Sequence, residues 1–64
     1  MFRKELEEYI GFEVQIHVLQ RIIYGILREV TNATVTVRIL NGPDYSEYED
    51  VEVPMLNISY VTIP

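Results

Sequence analysis

Sixty-four residues with 5 basic and 10 acidic side chains carry a formal charge of −5 and leave room for one small domain. The chain has no cysteine, no tryptophan and a single histidine, His17, so disulfides, thiolate metal sites and two-histidine catalytic devices cannot be assembled from one copy. Folding at this size buries only about 60% of the unfolded surface, and with disulfides excluded a partner subunit is the natural route to comfortable stability.

Valine and isoleucine supply 16 residues and threonine 4, so nearly a third of the chain is β-branched and suits a pleated surface. The expectation is a mostly β domain. No apolar run approaches the roughly 18 to 20 residues of a membrane span, and Phe2, Arg3, Lys4 and Glu5 stand where a secretory signal places an apolar stretch. A cytoplasmic or virion-interior protein with no membrane association is expected.

In chain order, Phe2, Leu6, Tyr9 and Ile10 fall at helical spacing opposite Arg3, Lys4, Glu5, Glu7 and Glu8, which predicts a short amphipathic helix stopped by Gly11. From Phe12 the period becomes two. Phe12, Val14, Ile16 and Val18 form the inner row of a first strand, with Glu13, Gln15, His17 and Leu19 outside. A reversal at Gln20-Arg21 leads into Ile22 to Val30, a run apolar enough to be covered on both faces. Ile23 and Leu27 point inward with Gly25 between them, where the missing side chain lets the strand bend over a small core, and Ile22, Tyr24 and Ile26 point outward.

Asn32-Ala33 reverses the chain into a third strand from Thr34 to Leu40, with Val35, Val37 and Ile39 inward. Asn41-Gly42-Pro43-Asp44 is turn chemistry and opens a loop of about eight residues. The fourth strand runs from about Tyr48 to Met55 with Val51, Val53 and Met55 on one face, and Pro54 marks an edge or a strand end. Leu56-Asn57-Ile58 is short enough for one 3₁₀ turn before a fifth strand from Ser59 to Ile63.

A helix followed by five short strands, with a glycine-kinked second strand, resembles the Sm-like superfamily of small, strongly bent antiparallel β-barrels. The residues that carry the likeness are Ile10-Gly11 with Val14, Ile16 and Val18, then Gly25-Ile26-Leu27, Val35, Val37, and Ile58-Ser59-Tyr60-Val61-Thr62-Ile63. The resemblance implies a homo-oligomeric ring of about five to seven subunits, strand four of one copy pairing with strand five of the next. It also implies single-stranded RNA near the pore in many members. RNA-binding members place an acidic residue and an asparagine between strands two and three, and an Arg-Gly pair between strands four and five. This chain has Thr31, Asn32 and Ala33 at the first place and Leu56-Asn57 at the second. Thr31, Asn32 and Asn57 are therefore the candidate RNA contacts, uncharged ones, and RNA is not the favoured partner.

Asp44, Glu47, Glu49, Asp50 and Glu52 place half of the carboxylates within nine residues, interleaved with Tyr45 and Tyr48. Without calcium-loop spacing they read as a solvated segment that discourages wrong edge pairing, or as a surface for a basic protein partner. His17 reads as a surface side chain. No nucleophile stands beside a base and no glycine-rich phosphate cradle exists, so a non-enzyme without cofactor or metal is expected. Two functions remain: a structural or adaptor ring acting through protein–protein contacts, and an RNA-binding ring. Strands four and five lack a partner edge within one chain, which favours the first and puts Val51, Val53, Met55, Tyr60 and Val61 near the subunit seam.

Overall fold

In the computed structural model of the chain, residues 2–44 and 46–64 are described, Phe2 and Arg3 through their backbone alone. Tyr45 and the Phe2 side chain, assigned above to the acidic segment and to the helix's apolar face, lie outside this description. The elements are α1 (Phe2–Glu7), β1 (Glu13–Val18), β2 (Arg21–Val30), β3 (Thr34–Asn41), β4 (Glu47–Pro54), a 3₁₀ turn (Met55–Asn57) and β5 (Ile58–Thr62).

The helix is shorter than its apolar spacing predicts. It ends at Glu7, and residues 8–11 form turns in which the Tyr9 amide donates to the Leu6 carbonyl at 2.9 Å. Gly11 adopts φ +97°, and its N–H is taken by the Leu27 carbonyl at 2.7 Å. That bond ties the chain to β2 and stops the helix from running on to Gly11. Only Leu6 of the predicted apolar stripe is buried among the described side chains, while Tyr9 and Ile10 are exposed. Phe12 also lies outside the core. It precedes β1 and packs edge-on against Tyr9, with ring centroids 6.0 Å apart.

All five strands join one antiparallel sheet in the order β4-β3-β2-β1-β5. The sheet does not close, because β4 and β5 are its two edges and do not pair with each other. β2 is the spine. Its first half, Arg21 to Ile26, pairs with β1, and its second half, Ile26 to Val30, pairs with β3. The hand-over falls beside Gly25, as the sequence predicts for a bend. A Cβ on Gly25 would collide with Val37 Cγ1 and lie 2.6 Å from the Arg38 carbonyl oxygen, so β3 crosses close over this point.

One apolar cluster fills the concave side: Val14 and Ile16 from β1, Ile23, Leu27 and Val30 from β2, Val35 and Val37 from β3, Val53 from β4, and Leu6 from the helix. The expected inner rows of strands one to three are thus buried at Val14, Ile16, Ile23, Leu27, Val35 and Val37 and half-buried at Val18 and Ile39, while Ile22 and Tyr24 are exposed on the other face. No described residue of the chain covers these two, so a cover for the outer face of strand two has to come from outside the described residues. Two bulges set the remaining phases. Arg28 is an extra residue in β2, so that Leu27 and Val30 both point inward, and Ser59 is extra in β5, so that Ile58 and Val61 do.

The turns also depart from the predicted bounds. The first hairpin reverses at Leu19-Gln20, since Val18 pairs with Arg21. The loop between β3 and β4 spans residues 42–46, shorter than the predicted eight, because the Asn41–Glu47 pair carries the ladder further toward the turn. The 3₁₀ turn starts one residue early, at Met55, whose N–H is accepted by the Ala33 carbonyl at 2.8 Å.

Candidate interaction surfaces

The first surface is the pair of open edges. On β4, Val53 is 4% exposed and belongs to the core, and Val51 is half-buried against it. Met55 and Val61 are half-buried in the same way, whereas Tyr60 projects to the convex face. The five expected seam residues therefore divide into one core residue, three along the margin of the core, and one on the outside. Ile58 shares the margin and was not singled out from the sequence, because the bulge at Ser59 that turns it inward leaves no mark in the alternation.

Two further apolar groups stand clear of everything. Leu56, in the 3₁₀ turn that joins the two edge strands, is 99% exposed, and Leu19, in the first hairpin turn, is 88% exposed. Together with Val18, Arg21, Asn57 and Ile58 they line a groove of about 600 Å³ at the start of the β5 edge. The available signal was a leucine at each of two tight reversals, where polar residues are the rule.

The second surface carries the candidate RNA contacts. The Met55–Ala33 bond brings the β2–β3 turn against the end of β4, so Thr31 and Asn32 share one end of the sheet with the 3₁₀ turn that holds Asn57. Asn32 and Asn57 are exposed. Thr31 is half-buried, and its Oγ1 accepts from the Ala33 and Thr34 amides at 3.1 and 2.9 Å. Its hydroxyl thus shapes the turn from within. Arg21 lines the same clefts as Asn57, a cation near the third candidate that the linear sequence does not reveal.

On the convex face the acidic segment is partly neutralised. Arg38 of β3 lies opposite Asp50 of β4 and grips its carboxylate with two hydrogen bonds, Nε to Oδ1 at 2.9 Å and Nη2 to Oδ2 at 3.2 Å. Its guanidinium also sits 3.9 Å from the centre of the Tyr48 ring. The hydrogen bond from Arg38, aided by the Arg38 and Arg28 charges, holds the Asp50 carboxyl below its ordinary range, and the same bond raises Arg38 further. Among the described residues no three His, Asp or Glu side chains converge in a metal-holding group. At the opposite edge His17 stacks on Tyr60, with centroids 4.0 Å apart and planes 17° apart, and its Nε2 lies 3.2 Å from Thr62 Oγ1. Tyr60, His17 and Ile22 stand side by side in register across β5, β1 and β2.

No helix among the described residues is long and apolar enough to cross a membrane. No protein-family model, curated protein or solved structure matches the chain.

Proposed function

We propose that the chain is a non-enzymatic, Sm-like structural or adaptor subunit that assembles head to tail into a ring and acts through protein–protein contacts. The observation that carries this reading is the strand order, which leaves β4 and β5 as opposite edges of one curved sheet, each bordered by half-buried apolar side chains. An edge of unpaired N–H and C=O groups beside Val51, Met55, Ile58 and Val61 is a template for another strand. Edge-to-edge pairing of identical copies satisfies both edges at once, and closing the chain of copies into about five to seven subunits avoids an open filament. β5 contains no charged residue, so it meets the acidic β4 without like-charge repulsion.

Single-stranded RNA has less to support it. Thr31 is engaged in its own turn, Arg38 is bound to Asp50, and a charge of −5 per subunit opposes a polyanion. Retention on oligo-uridine or oligo-adenosine that falls steeply with salt is the behaviour that reading requires.

Light scattering after gel filtration tests the ring. A mass several times 7.5 kDa that persists on dilution is expected, and a folded monomer at micromolar concentration overturns the proposal. Val53→Asp is a poor probe of the seam because Val53 is a core residue whose loss unfolds the subunit. Leu56→Asp is the better one. Leu56 is fully exposed between the two edge strands, so the substitution leaves each subunit folded and lowers the assembled mass.

A further inference from the structure

We infer that the groove on the convex face between Glu13 and Tyr24 is a docking site for an arginine side chain presented by a basic protein segment. The inference rests on the adaptor reading only in taking a protein segment as the occupant. The groove, of about 320 Å³, is floored by Gly25 and Ile26 and flanked by Tyr24, Leu40, Arg38 and Glu13. The Ile26 side chain supplies the apolar part of this floor, against which an aliphatic stem can lie.

The chemistry of the occupant follows from a comparison within the same face. Two strands away, Asp50 and Tyr48, separated by one residue on β4, hold the Arg38 guanidinium between a carboxylate and an aromatic ring. Glu13 and Tyr24 offer the same two groups. Gln15 pairs with Tyr24 and Glu13 with Ile26, which makes Glu13 and Tyr24 diagonal neighbours across the β1–β2 ladder. Diagonal side chains stand about 7–8 Å apart at their Cα atoms, within the span of a planar guanidinium with its stem between them. Here, however, the cation is missing. Glu13 is exposed and makes no ion pair with any described residue, and Tyr24 is 60% exposed.

Charge decides between classes of guest. Arg38 borders the groove, but its charge is met by Asp50, which the Arg28 charge also reaches, while Glu13 makes no ion pair with any described residue. The local field therefore favours a cation and opposes a phosphate. Arginine fits better than lysine because its delocalised, weakly hydrated plane lies flat on a tyrosine ring and still donates to a carboxylate.

The test uses the whole chain, isotopically labelled, titrated with the capped peptide Gly-Arg-Gly-Arg-Gly and its lysine and citrulline counterparts. Saturable shifts of the Tyr24, Gly25 and Ile26 amides by the arginine peptide are expected. Citrulline, isosteric and neutral, should weaken binding about tenfold, and lysine less. Glu13→Gln should weaken it about fivefold, while Glu47→Gln, an equal change of charge elsewhere, should leave it within about twofold. The inference is overturned by the absence of saturable shifts, by equal losses in Glu13→Gln and Glu47→Gln, or by oligo-uridine saturating the same amides. The mass of the same samples reads the ring separately, so a monomer that binds and a ring that does not are distinct outcomes.

Discussion

Gly25 is where the fold tolerates least. In Gly25→Val the new Cβ falls onto Val37 Cγ1 and within 2.6 Å of the Arg38 carbonyl oxygen, with the carbonyl carbon at 3.1 Å. A flexible side chain yields to such an intrusion by rotating. The Arg38 carbonyl cannot, because it belongs to the β3 backbone where β2 changes partner. Val37 is fully buried, so its methyl has no vacant space to enter. Overpacking of this kind costs about 1–3 kcal/mol or more, and two obstacles plus a branched side chain put Gly25→Val at about 3 kcal/mol. The reduced freedom of the unfolded chain offsets only about 0.4–1 kcal/mol of that. A domain of 64 residues has roughly 3–10 kcal/mol of stability at about 0.05–0.15 kcal/mol per residue, so the loss is a large share of the total. At about 4–8 °C per kcal/mol, the remaining loss of about 2 kcal/mol lowers Tm by at least about 8 °C. Far-ultraviolet circular dichroism melts at matched subunit concentration provide the assay. Gly42→Ala is the control. Gly42 has φ +86° and only Ser46 Oγ near its Cβ position, at 3.9 Å, so it costs the left-handed penalty of about 1–2 kcal/mol without a collision. A Gly25→Val protein that melts with the parent, or above Gly42→Ala, refutes the close crossing of β3 over β2.

Thr31→Val keeps the shape of the side chain and removes the oxygen that accepts from the Ala33 and Thr34 amides, so a loss of about 1 kcal/mol in chemical denaturation is expected, and unchanged stability would show that the hydroxyl does not hold the turn. The Asp50 carboxyl titrates below the ordinary carboxylate range because Arg38 binds its charged form. Its contribution to stability is therefore present above that range and is lost as pH falls through the lowered value. In Arg38→Ala the Asp50 titration, followed by carboxyl carbon chemical shifts, should move upward, and an unmoved titration would refute the assigned cause.

The mostly β class, the order of elements and the concave rows of strands one to three follow from local rules that a linear sequence displays. Alternation at Val14 and Ile16 or at Val35 and Val37 reports which side faces the core, and Gly25 between Ile23 and Leu27 reports a bend, because each needs only neighbours in the chain. What the sequence does not display is set by groups far apart in it. The helix stops at Glu7 because the Gly11 amide bonds to Leu27 in β2. Val30 and Ile58 turn inward because bulges at Arg28 and Ser59 shift the phase against the partner strand, and a single strand's pattern carries no trace of the partner's residue count. The Arg38–Asp50–Tyr48 cluster and the Glu13–Tyr24 groove likewise arise only from register between strands. Candidate seam residues could be read as apolar and close to an edge. Which of them build the core, as Val53 does, and which remain available outside it was decided by the curvature of the sheet, because only tertiary packing determines how much of a half-apolar edge strand is already covered.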